Sequence, residues 1–234
     1  MVPPAPLNLS RYTSEQLCAR IFLRHASRIR VKKQHVAVGN LVRIVDAFLK
    51  LTTRNGFHAT SLRDLAAESG LSMGGLYSYF DSKETLLVMV LEEVEEAVRE
   101  LLASAPADVV ADPRRNLLWL IDAHIRLTEA MQRWFVFAYM EAKSFPKTAK
   151  TAAIDSELVA ERTIADILRR GVERGAFAVA DIELTAAIVK PLLQDWYVKR
   201  AKYRRRGVSV GDYVSTVSAL VMDGIDAGSD PGAR

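Results

Sequence analysis

Ser61, Ser72, Tyr77, Tyr79 and Lys83 put four hydroxyls and one ammonium into a short stretch of chain. Groups of these kinds donate hydrogen bonds to phosphate oxygens, and the ammonium adds charge to the contact. Among them stand Met73, Gly74 and Gly75. Glycines near a helix start let backbone N–H groups approach a partner, and a thioether offers apolar contact, as to a thymine methyl, rather than a hydrogen bond. The chemistry on offer is recognition of a polyanion. Four histidines are scattered, Cys18 is the single cysteine, and no nucleophile, metal-ligand or phosphate-loop spacing stands out. No catalytic residue, metal site or cofactor is therefore expected.

Short helices must hold those groups in place. Leu41, Ile44, Val45, Phe48 and Leu51 share one broad face of a first helix that stops at Gly56. Ser61 can cap a second, with Leu62, Leu65 and Ala66 turned inward, and Gly70 marks the turn before a third opened by Ser72. Two short helices joined by a glycine-containing turn and braced by another make a helix-turn-helix. Tyr77 and Phe80 read as core residues before contacts, and Tyr79 as a phosphate contact before a core residue. Gly74 and Gly75 each weaken the third helix by up to about 1 kcal/mol relative to alanine, which a close partner would offset.

Helical periodicity dominates the rest, and no strand alternation persists. The chain is expected to be all-α, with helices over 13–29, 39–55, 61–68, 72–79, 82–104, 113–129, 131–144, 147–174, 181–205 and 210–226. Asp112 before Pro113 marks a helix start, Asp81 and Glu84 have capping-box spacing, and Gly175 suits a helix end. With 234 residues and 50% hydrophobic composition the chain can bury a sizeable core. The single cysteine, the absence of a secretory leader pattern and of a long apolar run lead to the expectation of a cytoplasmic protein away from membranes. Residues 1–90 carry 12 Lys/Arg against 6 Asp/Glu, a balance of +6, whereas residues 91–234 carry 20 against 22, a balance of −2. A basic module beside a mildly acidic one fits a polyanion-binding part with a separate regulatory part.

The run from Gly70 to Leu86, GLSMGGLYSYFDSKETL, with Ile44 to Ala47 and Gly56 spaced before it, resembles the N-terminal signature of TetR-family transcriptional regulators. The resemblance covers about a fifth of the chain and spans many positions. It implies an N-terminal three-helix helix-turn-helix DNA-binding domain and a C-terminal helical ligand-binding and dimerisation domain. It also implies a homodimer that places its third helices in the major grooves of a palindromic double-stranded operator, with a small-molecule effector changing the separation of the two heads. By position, Ser61 and Tyr79 would contact phosphate, Ser72, Met73, Gly74 and Gly75 would lie near base edges, and Lys83 would reach phosphate from the fourth helix. Gly75 stands where threonine is frequent, Met73 where a polar or basic residue often sits, and Thr52 where an aromatic usually packs; Phe48 is placed to supply that volume.

The domains follow as 1–38, an N-terminal extension with an extra basic helix; 39–85, the DNA-binding domain; 86–226, the ligand-binding and dimerisation domain; and 227–234, a flexible tail. In the extension Thr13 and Gln16 have capping-box spacing, Leu17, Ile21 and Phe22 form a stripe that Ile29 could extend, and Arg20, Arg24, Arg28, Arg30, Lys32 and Lys33 make the rest basic. Two readings of those charges stand level: contact with DNA phosphates or a minor groove, and the solvated face of a structural helix. The acidic run Glu92, Glu93, Glu95, Glu96 and Glu100 reads as a solvated face.

Bulky, adaptable side chains gather downstream, and Trp119, His124, Phe135, Tyr139 and Trp196 are the candidates for lining an effector cavity. His124, Tyr139 or Glu141 would orient a polar ligand group. Ile164, Ile167, Leu168, Leu184, Ile188, Leu192 and Trp196 are candidate contacts between subunits, and Pro191 a kink. The basic cluster from Lys199 to Arg206 would suit an anionic effector such as an acyl-CoA or another lipid-like molecule. Three functions compete: a ligand-responsive transcriptional repressor, an α-helical enzyme acting on a small hydrophobic substrate, and an effector-independent architectural DNA binder. The first accounts for the helix-turn-helix, the charge split and the aromatic-rich second domain together.

Overall fold

The computed structural model describes residues 8–226, with backbone alone over 147–157, so the proposed tail at 227–234 and the first seven residues lie outside the described residues. Twelve α-helices account for the described chain, in agreement with the all-α expectation. They fall into two compact units, one comprising residues 8–97 and 130–156, the other residues 98–129 and the chain from 157 onward.

In the first unit, α1 (Ser14–Arg24) opens on Thr13, whose hydroxyl accepts the Gln16 N–H at 3.3 Å, and it buries Leu17, Cys18, Ile21 and Phe22. It stops short of the expected residue 29 because the chain turns at His25 and seats Ile29 in the core. Helix α2 (Gln34–Asn55) begins earlier than the sequence signals placed it. Gly39 is tolerated within it, since Ala37 and Val38 extend the apolar face by another turn and are buried. Gly56, with φ of 83°, ends it. Helix α3 (Leu62–Ser69) carries a reciprocal capping box between Ser61 and Asp64, worth about 1 kcal/mol.

Helix α4 (Met73–Leu76) is a single turn, shorter than the expected 72–79, as its two glycines resist propagation. Helix α5 (Lys83–Ala103) follows; Ser82, not Asp81, accepts an N–H of its first turn, that of Thr85, at 3.1 Å. The expected helix 131–144 is α8 (Gln132–Met140) followed by a 3-10 turn at Ala142–Ser144. It packs on α2, so Phe48 meets Phe137 edge-on at 5.1 Å, and Phe57 and Phe145 complete the cluster.

The second unit holds α6 (Ala107–Val110), α7 (Pro113–Ala130, but for its last residue), most of α9 (Lys147–Glu173), α10 (Ile182–Val198), α11 (Arg200–Arg205) and α12 (Val210–Ile225). Asp112 caps α7 as expected, accepting the Arg114 N–H at 2.9 Å, and Gly175 closes α9 with φ of 66°. The expected 181–205 helix breaks at Lys199, and Pro191 sits exposed within α10. Tyr213 of α12 donates its hydroxyl to the Leu192 carbonyl at 2.7 Å. Ile164, Ile167, Leu168 and Trp196 are buried within the single chain, so of the proposed intersubunit set Leu184 (56% exposed) and Ile188 (59%) are the strongly exposed members. Among the described residues no helix is long and apolar enough to cross a membrane.

Candidate nucleic-acid interface

The turn between α3 and α4 requires glycine at its first position. Gly70 has φ of 66°, and a Cβ there would lie 2.5 Å from the Arg43 guanidinium, which donates to the Gly70 carbonyl at 3.1 Å. Ser72 then caps α4 by accepting the Gly75 N–H at 3.1 Å, while Leu65, Leu76 and Phe80 anchor the pair in the core. What remains outside is the start of α4. Ser72 and Gly74 are exposed, Met73 and Gly75 half-exposed, and the space a Cβ would occupy at Gly74 is open. A short helix whose N-terminal edge is polar, lightly covered and held by a rigid turn can approach base edges closely.

The two tyrosines exchange the weights that sequence reading assigned them. Tyr77 is 42% exposed at the end of α4, and Tyr79 is 1% exposed, its hydroxyl accepting from Asn40 Nδ2 at 2.9 Å. Burial pushes the Tyr79 phenol up, with the Asn40 hydrogen bond acting in the opposite sense. Lys83 is likewise turned inward. Its ammonium donates to the carbonyls of Phe57 (2.6 Å) and Thr60 (2.8 Å), lies over the Phe57 ring at 4.4 Å, and is pushed below the usual lysine range by burial. Ser61 is exposed but committed to its capping box, with its hydroxyl 2.6 Å from Asp64 Oδ2.

Sequence reading passed over Asn40, Arg43 and Arg63. Arg63 projects exposed from α3 with no ion pair among the described residues. A charge on a short amphipathic helix looks like any solvated charge until its neighbours are known. Glu141, expected near an effector, instead accepts the Phe57 N–H at 2.9 Å and braces the loop after α2. Glu93 departs from the expected solvated acidic face: it is fully buried, paired with Arg20 at 2.6 Å and Arg24 at 3.0 Å. An acidic run on α5 is solvated only where α1 does not cover it.

The five candidates for an effector site divide between the units. Trp119, His124 and Trp196 belong to the second unit, Phe135 and Tyr139 to the first, where Phe135 is buried and Tyr139 exposed. In the second unit α7 buries Asn116, His124 and Thr128, and α10 buries Lys190 and Gln194. Burial, and secondarily the charge of Lys190, hold His124 down to about 3, so its imidazole is neutral at pH 7. Trp196 donates its indole N–H to Glu129 Oε2 at 3.0 Å, and Arg200, 4.5 Å above the same ring, grips both oxygens of that carboxylate. That leaves Trp196 as part of a braced aromatic and ionic cluster with Tyr203 and Tyr213.

Residues 44–90 match the family described as bacterial regulatory proteins, tetR family. Over 197 residues the chain is 27% identical to the HTH-type transcriptional repressor KstR2 of Rhodococcus jostii, covering 80% of this chain and 91% of that protein. Among solved structures it is similar to the TetR family transcriptional regulator PfmR of Thermus thermophilus, with 29% identity, a TM-score of 0.58, and coverage of 76% of this chain and 94% of that one. The transcriptional regulator FadR of Bacillus subtilis, solved in complex with stearoyl-CoA, shares the fold at 17% identity and a TM-score of 0.58, over 78% of this chain and 97% of that one. The capped single-turn α4 and the left-handed Gly70 both fall within the matched span, so residues 44–90 carry the DNA-binding signature of the tetR family of bacterial regulatory proteins.

Proposed function

We propose that the protein is a ligand-responsive transcriptional repressor that binds a palindromic DNA operator as a homodimer in the cytoplasm and is released by a hydrophobic or acyl-CoA-like effector. The observation that carries the DNA-binding part is the start of α4, held by Gly70 and Ser72 with its polar edge exposed. Ser72, Met73, Gly74 and Gly75 face base edges in this reading, and Tyr77 and Arg63 supply phosphate contacts beside them. Ser61, Tyr79 and Lys83 act mainly by fixing the shape of that surface.

Leu184 and Ile188, four positions apart on α10, support a subunit interface continued by the half-exposed Leu192. For the effector, the polar groups buried between apolar side chains on α7 and α10 support a site that orients a ligand bearing a polar or anionic group. FadR, a protein of the same fold, was solved with stearoyl-CoA, which favours testing acyl-CoA thioesters first. Trp119 and His124 are the candidates retained from the second unit.

The test is selection of genomic fragments by the purified chain, followed by titration of the selected complexes with acyl-CoA thioesters and free fatty acids. Sequence-selective retention that a thioester abolishes is the expected result. Turnover of the thioester without DNA retention would favour the enzymatic reading, and retention insensitive to every effector would favour an architectural role.

A further inference from the structure

We propose that the segment from Arg28 to Lys33 is a second DNA-contact element, which grips the phosphate backbone beside the half-site occupied by α4. The inference rests on the DNA-binding reading above and extends it to residues outside the span matched by the family.

Placement carries the argument. The Arg30 N–H donates to the Ser78 carbonyl at 2.9 Å, and Ser78 directly follows the exposed Tyr77. The segment therefore runs beside the end of α4, on the same unit. It is also fixed. Ile29 is fully buried, Lys32 Nζ donates to the Ile29 carbonyl at 3.1 Å, and the preceding α1 is clamped to α5 through Arg20, Arg24 and the buried Glu93. From Ile29 to Lys32 exposure alternates along the chain. Ile29 and the half-buried Val31 turn in, while Arg30 and Lys32 are exposed.

Charge gives the partner. Arg28, Arg30 and Lys33 are exposed and form no ion pair among the described residues, unlike Arg20 and Arg24 on the same extension. No acidic residue occurs between Glu15 and Asp46. Lys33 also stands at the start of α2, whose first turn has no side-chain cap. Three uncommitted cations on a segment pinned next to the end of α4 match a row of phosphates, and phosphate is the ligand such a row attracts irrespective of base sequence. The two readings left level by the sequence thus separate along the extension: Arg20 and Arg24 are structural, and Arg28, Arg30 and Lys33 are contacts.

The experiment compares the wild-type chain with the triple variant Arg28→Ala/Arg30→Ala/Lys33→Ala, using a duplex recovered by genomic selection and the same duplex trimmed to its palindromic core. Arg204→Ala/Arg205→Ala/Arg206→Ala, a second exposed basic cluster, serves as the control. Affinity is measured across a salt series. The triple variant should bind the long duplex on the order of tenfold or more weaker, with the salt slope reduced by up to about 2.7, at about 0.9 per lost phosphate contact. Its base preference should be unchanged, the control should behave as wild type, and the wild-type advantage should vanish on the trimmed duplex. A triple variant with wild-type slope and affinity on the long duplex overturns the proposal alone, and so does an equal loss in the control. A wild-type chain that selects no fragment overturns the DNA-binding reading itself.

Discussion

Glu93 Oε1 lies 2.6 Å from Arg20 Nε, and the carboxylate is completely buried where α1 crosses α5. The extension before the helix-turn-helix is therefore bonded to the helix that follows it, with Arg24 at 3.0 Å from the second oxygen. Removing the carboxylate leaves two guanidinium groups facing each other across a desolvated gap. Glu93→Ala should cost about 3–5 kcal/mol in urea unfolding, as expected when one partner of a buried pair is deleted. Arg24→Ala should cost less, because that side chain is about one-third exposed. Equal, negligible losses would show that α1 is not held by this pair.

Gly171 offers a prediction whose sign packing reverses. Replacing a helical glycine by alanine normally stabilises by up to about 1 kcal/mol. Here the new Cβ would lie 1.9 Å from Cδ2 of the buried Phe177 ring. Gly171→Ala should instead lower stability by about 1–3 kcal/mol, the usual cost of overpacking. Adding Phe177→Leu should cost less in that background than in wild type, a coupling measurable in a double-mutant cycle.

His124 should make the protein acid-sensitive. Its folded-state value is held down to about 3, against an ordinary 6.5, by burial and the Lys190 charge. Between those values the unfolded chain binds a proton that the folded chain refuses, so the residue's contribution is intact above 6.5 and is lost as pH falls towards 3. The slope is about 1.4 kcal/mol per pH unit, or roughly 2 kcal/mol between pH 6.5 and 5. Urea titrations at pH 7 and pH 5 should show that difference in wild type and a shallower one in His124→Gln.

Tyr77 and Tyr79 should separate binding from folding. Tyr79→Phe deprives Asn40 of its 2.9 Å partner and should cost about 1 kcal/mol of stability. Tyr77→Phe should leave stability within about 0.5 kcal/mol while weakening operator binding on the order of fivefold, the worth of one hydrogen bond. Anisotropy with a selected duplex, read beside a thermal melt, distinguishes the two. A binding loss in Tyr79→Phe alone would restore it as the phosphate contact.

Charging the α10 stripe should dissociate the subunits. Leu184→Glu/Ile188→Glu places two carboxylates where exposed leucine and isoleucine stand, and sedimentation should report a monomer with unchanged helix content. A dimer that survives would move the interface to another face.

The helical class, the Thr13, Ser61, Ser72 and Asp112 caps, and the stops at Gly56, Gly70 and Gly175 were determined by the sequence alone, because capping and left-handed glycine act within a few residues. The motif from Gly70 to Leu86 was legible for the same reason. What periodicity cannot tell is which element covers a given face. Only tertiary structure decided that Glu93 is buried while Glu92 remains partly exposed, since Arg20 and Arg24 of α1 close over Glu93 whereas Glu92 meets His25 at the end of that helix. It likewise turned Tyr79 and Lys83 inward and Tyr77 outward, and set Phe137 and Phe145 against Phe48 and Phe57. Each of those outcomes depends on partners distant in sequence, and a side chain's own type carries no record of which partner will reach it.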